Sequence, residues 1–133
     1  MMDENETFKA GLAVRRQVLG EAYVNQALAQ VDDFTAPLQQ YLTEHAWGAT
    51  WVRDGLTLKQ RSMLNLAILT AINRPHELKI HIRGAINNGV TKEEMREINR
   101  AMESGGSLAV DQWRMKHHNR VAKKCGGTDS ADY

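Results

Sequence analysis

The chain has 133 residues, with 17 Lys+Arg against 16 Asp+Glu, 42% hydrophobic and 25% charged residues, and a single Cys. That size and balance fit one domain around one core and exclude disordered, collagen-like and membrane classes. The lone Cys125 excludes an intramolecular disulfide, a C-x-x-C redox pair and a Cys-rich zinc cage. No apolar run approaches the roughly 18 residues of a membrane span, and the acidic start MMDENETFKA is unlike a signal peptide, so the expected location is cytoplasmic. The net charge of +1 hides an asymmetry. Residues 1–50 carry 3 basic and 7 acidic side chains, whereas residues 51–133 carry 14 and 9. An anionic partner is therefore expected to meet the second half.

Apolar residues recur at three and four along the chain, which predicts an all-α domain of six to seven helices. The first helix spans 6–19, with Phe8, Leu12, Val14 and Leu19 on its apolar stripe and Gly20 as its C-terminal cap. A short helix follows over 22–31. Asp32 and Asp33 then favour a new helix start, which runs to about Trp47 before Gly48. Residues 52–56 read as a turn around Asp54-Gly55. Thr57-Leu58-Lys59-Gln60 has capping-box spacing and opens a strongly apolar helix through Leu64, Leu66, Ile68, Leu69 and Ile72. Pro75 breaks that helix and fits the first turn of the next, over 75–88, so the two form a central antiparallel hairpin. Gly89 ends the hairpin. Thr91-Lys92-Glu93-Glu94 offers a second capping box, for a helix lined by Ile98, Ala101 and Met102. Beyond Gly105-Gly106 a basic helix is expected over 108–124, with a loose tail over 126–133.

The chemistry-bearing cluster with the clearest spacing is Arg74, Glu77 and His81. Glu77 and His81 are four apart in a helix and share a face, with Arg74 just before the first turn. A carboxylate near an imidazole raises its pKa and burial lowers it, so the pair can be poised for proton transfer near neutrality. Arg74 can grip a carboxylate through two hydrogen bonds. The same spacing also describes an exposed ion pair worth about 0.3 to 0.5 kcal/mol. His45 and Trp47, with Trp51 and Arg53 close behind, can wall a small pocket, or the two indoles can be core. Arg61 and Lys59 stand near a helix start, where anions are favoured. Ser62 has no His or Asp at a spacing that would activate it. His117 and His118 are adjacent and make a poor metal pair. The basic last helix has Trp113 as its only aromatic and the whole chain carries only +1, so no nucleic-acid partner is expected, and without a membrane span no membrane partner either.

Several ordered strings resemble the carboxymuconolactone decarboxylase family. They are Val14-Arg15-Arg16-x-Val18-Leu19-Gly20, His45-Ala46-Trp47-Gly48-x-x-Trp51-x-Arg53-x-Gly55-Leu56, Arg61-Ser62, Ala71-x-Asn73-Arg74, Glu77-Leu78-x-x-His81-x-Arg83 and Asn87-Asn88-Gly89-Val90-Thr91. They cover about residues 7–98. The resemblance implies a carboxymuconolactone decarboxylase/AhpD-like helical fold for a single domain over 1–133. It also implies a homo-oligomer, commonly hexameric, and cofactor-free decarboxylation of a lactone dicarboxylate, 4-carboxymuconolactone, in protocatechuate catabolism. Relatives that serve peroxidases carry C-x-x-C before the helix histidine, where this chain has Arg74 and Glu77. On this reading His81 is proton donor or oxyanion partner, Glu77 its orienting carboxylate and Arg74 a substrate clamp. Arg53 or Arg61 supplies a second clamp, and His45 and Trp47 line the substrate. From about residue 99 to 125 the chain departs from the family pattern. The other function it suggests is a binding or assembly protein without this activity, using its C-terminal helix as a partner surface.

Overall fold

The computed structural model describes residues 2–103, so the basic helix expected over 108–124, Cys125 and the tail over 126–133 lie outside the described residues. The described chain is helical, with no strand among the described residues, and gathers into two compact units that divide after Leu58.

In the first unit, α1 (Glu6–Leu19) starts where the Asn5 side chain accepts from Phe8 N at 2.9 Å. It stops at Gly20, whose positive φ of 92° suits glycine and whose N–H bonds Arg16 O at 2.9 Å. The short α2 (Glu21–Ala29) follows and packs on α1. The helix expected to begin at Asp32 starts one turn later, as α3 (Ala36–Tyr41). The cause is local. The Asp32 carboxylate accepts from both Thr35 N (2.8 Å) and Thr35 Oγ1 (2.6 Å), closing a turn of its own before Pro37 enters the first helical turn.

From Leu42 to Trp51 the coil continues as a π-helix of ten residues, a register that ordinary helical spacing does not announce. It packs along α1. At the crossing, a Cβ on Gly11 would lie 2.7 Å from Gly48 N, and one on Gly48 would lie 2.9 Å from Thr7 Cγ2. The two glycines let the backbones touch. Beside this crossing Arg15 is buried, with Nη1 donating to Gln39 Oε1 (3.1 Å) and Thr43 Oγ1 (3.3 Å). Burial lowers its pKa, with Tyr23 opposing.

In the second unit, α4 (Leu58–Ala71) and α5 (Pro75–Asn87) form the antiparallel hairpin, and α6 (Lys92–Glu103) follows. The turn between α4 and α5 is tight: Asn73 has φ 56°, and Arg74 N bonds Leu69 O at 2.9 Å. Asn tolerates that left-handed angle better than most residues with a side chain. Leu66, Leu78, Ile82, Ala85, Val90 and Met95 make the core of this unit. Leu64 and Ile68, four apart on α4, and Ile72 just past its end are exposed instead, so the wide apolar arc of this helix is only half used internally. Gly89 (φ 81°) ends α5. The second capping box is present: Thr91 Oγ1 accepts from Glu94 N at 3.1 Å and Glu94 Oε2 accepts from Thr91 N at 2.9 Å. Lys59 and Glu94, 2.8 Å apart, tie α4 to α6.

Candidate functional site

The hairpin of the second unit brings titratable and polar groups of α4 and α5 together. Two hydrogen bonds set its register. Asn88 Nδ2 donates to the fully buried Ser62 Oγ at 2.9 Å, and Asn65 Nδ2 lies 3.3 Å from His81 Nδ1. Ser62 therefore serves as a structural acceptor between helices. Asn65 lies in an otherwise apolar stretch of α4, flanked by buried Ser62 and Leu66, and His81 lies next to Ile82 in the same core. Leu66 and Ile82 are each 1% exposed, so the backbones carrying Asn65 and His81 are held firmly.

The electrostatics of His81 are decided by burial. Desolvation lowers its pKa from 6.5 to about 4, and the charge of Glu77 only partly opposes this. The imidazole is thus neutral at pH 7. Glu77, one turn earlier on α5, is engaged elsewhere, with Oε1 accepting from Arg74 Nη2 at 2.7 Å and from Arg74 Nε at 3.2 Å. Its own backbone N–H and then Arg74 hold its carboxyl below the usual carboxylate range. Arg74 is the residue before α5 begins, and its side chain is exposed apart from this pair. Arg61 is half-buried on α4, one turn before Asn65 and so on the same side of that helix. The hairpin thus carries a neutral imidazole, with Arg61 toward its open end and Arg74 at its turn.

The remaining sequence candidates stand in the first unit. Trp47 and Trp51 are buried, their rings stacked with centroids 4.8 Å apart. His45 is exposed with its ring 4.2 Å from that of Tyr41, and Arg53 is exposed in the loop that follows. Among the described residues no group of three His, Cys, Asp or Glu is placed to hold a metal ion. Asn65 went unmarked in the sequence because its partner lies 16 residues away, across the hairpin. A lone amide within an apolar helical stretch was the available signal.

The carboxymuconolactone decarboxylase family model matches residues 36–111, which takes in the whole hairpin. The chain belongs to this family. Among family relatives, the 4-carboxymuconolactone decarboxylase of Acinetobacter baylyi is 42% identical over 97 residues, 73% of this chain and 72% of the relative. The nitrosuccinic acid decarboxylase of Metarhizium robertsii is 50% identical over 90 residues, 68% of this chain and 63% of the relative. A 4-carboxymuconolactone decarboxylase from Pseudomonas putida is 45% identical over 47 residues, 35% of this chain and 98% of that sequence. All three names are those of decarboxylases. Among the described residues no helix is long and apolar enough to cross a membrane.

Proposed function

We propose that this protein decarboxylates 4-carboxymuconolactone to the enol-lactone of 3-oxoadipate in protocatechuate catabolism, acting in the cytoplasm as a homo-oligomer. The observation that carries the reading, given family membership, is the neutral, partly buried imidazole of His81 on a hairpin with Arg61 and Arg74 toward its two ends. The bond to the carboxylate on the ring carbon breaks, and its electron pair moves through the ring double bond onto the lactone carbonyl oxygen. A solvent proton then adds to carbon, giving the enol-lactone and carbon dioxide. The barrier lies in placing negative charge on that oxygen, so the useful group is a preorganised donor in a site sheltered from water. Neutral His81 fits that role better than the role of acid, since giving up its remaining proton would leave an imidazolate. Arg61 and Arg74 would each hold a carboxylate of the substrate through paired hydrogen bonds.

The relative named for nitrosuccinic acid favours a second reading. Nitrosuccinic acid is also a dicarboxylic acid, and loss of its carboxyl beside the nitro group leaves a nitronate whose charge rests on oxygen. The same three demands return: two carboxylates to hold and one oxyanion to bind.

Purified protein should be assayed for carbon dioxide release with each acid in parallel. Turnover of 4-carboxymuconolactone well above that of nitrosuccinic acid is expected. Replacing His81 by Ala should lower it by about 100-fold or more. No turnover of the lactone by folded protein sinks the first reading, and preference for the nitro acid installs the second.

A further inference from the structure

We infer that Asn65 is the positioning residue of this site, fixing His81 as the tautomer with its proton on Nε2, so that the imidazole acts as a hydrogen-bond donor. The inference rests on the reading that His81 binds the oxyanion. Its own basis is geometric. The amide nitrogen of Asn65 has hydrogens to give and no lone pair to offer, so across 3.3 Å it can only donate to Nδ1. A ring nitrogen that accepts carries no proton. In a neutral imidazole the single N–H must then be Nε2–H.

The alternative arrangement was open to this sequence. A carboxylate placed against Nδ1 would accept Nδ1–H, leave the Nε2 lone pair as a base and raise the pKa of the ring, as in hydrolytic triads. Glu77 stands one turn from His81 and could have served, but its Oε1 is taken by two bonds from Arg74. The neighbour of Nδ1 is an amide, and the amide selects the opposite polarity of the ring. The arrangement is held firmly. The Ser62 to Asn88 bond fixes the register of α4 against α5 about one turn from Asn65, and buried Leu66 and Ile82 adjoin Asn65 and His81 in sequence. An Nε2–H donor costs little reorganisation as charge develops on the substrate oxygen, whereas the other tautomer would aim a lone pair at it.

Asn65→Asp separates tautomer control from mere support. The shape is nearly the same and a hydrogen bond to His81 survives, but its direction reverses. In the wild-type protein labelled with 15N-histidine, two-bond proton–nitrogen correlations should show His81, assigned by its absence from H81Q, protonated at Nε2 from pH 6 to 9. In N65D the pKa of His81 should rise, and above it the proton should sit on Nδ1. Turnover of 4-carboxymuconolactone should then change from a flat profile over pH 6 to 9 to one that falls as pH rises. By pH 9 the loss should reach about 10- to 100-fold, the range found when an outer-shell orienting group is changed. His81 protonated at Nδ1 in the wild type overturns the inference. So does an unchanged pH profile in N65D when H81Q is inactive. Full turnover by H81Q instead overturns the underlying role of His81, whatever the tautomer.

Discussion

At the scale of single residues, the lowered pKa of His81 is also a statement about stability. The folded-state value is about 4 against an ordinary 6.5, so between these values the unfolded chain binds a proton that the native imidazole refuses. The stabilisation is complete above pH 6.5 and is lost as pH falls through about 4. A shift of this size corresponds to at most about 3 kcal/mol. Urea titrations of wild type and H81Q at pH 7, 5.5 and 4.5 should show the wild type weakening on acidification more steeply than the variant. Parallel pH dependences would mean that the ring is hydrated and ordinary. Spacing alone placed Glu77 and His81 one turn apart on α5 with Arg74 just before it; it did not give the bonds by which the Glu77 carboxylate takes Arg74 instead of orienting His81. It could not supply the balance of burial against charge, nor the amide facing Nδ1. Both depend on how α4 lies against α5, which no local pattern encodes.

At the scale of elements, several boundaries set by a cap or a conformational constraint were legible, although the start expected at Asp32 fell one turn too early. Gly20 and Gly89 take positive φ, Thr91 and Glu94 cap each other, and Pro75 opens α5. The π register of Leu42–Trp51 was not, because it comes with a tertiary crossing in which Gly11 and Gly48 lie backbone to backbone. These two glycines should therefore behave unlike a loop glycine. A methyl group at Gly48 would meet Thr7, and one at Gly11 would meet Gly48 and Thr43. G48A and G11A should each destabilise by about 1–3 kcal/mol, as overpacking does. G55A, where a Cβ would have nothing within 4 Å, should change stability by less than about 1 kcal/mol. Chemical denaturation of the three variants checks the contrast. Equal behaviour of G48A and G55A would mean that the crossing relaxes freely. The second capping box gives a smaller expectation of the same kind. T91A removes the oxygen that accepts from Glu94 N and should cost about 0.5–2 kcal/mol.

At the scale of the whole molecule, each unit leaves an apolar stripe uncovered. Leu38 and Tyr41 on α3, with Phe34 in the turn before it, are 65%, 62% and 91% exposed. Leu64 and Ile68 on α4, with Ile72 in the turn after it, are 50%, 52% and 60% exposed. Single exposed apolar side chains are ordinary, but rows of them at helical spacing mark surfaces made to be covered. A second copy of the chain is the occupant that the proposed homo-oligomer would supply, and it would cover the arc of α4 that its own core leaves unused. Placing a charge in the middle of a stripe would oppose that association by leaving a carboxylate to be desolvated without a partner. I68E and L38E should therefore lower the mass seen by sedimentation equilibrium while the helical circular dichroism stays at the wild-type level, since neither side chain belongs to a core. If only one variant dissociates the assembly, its stripe is the subunit contact and the other faces solvent. A wild-type protein that sediments as a 15.0 kDa monomer at all concentrations would rule out the homo-oligomer.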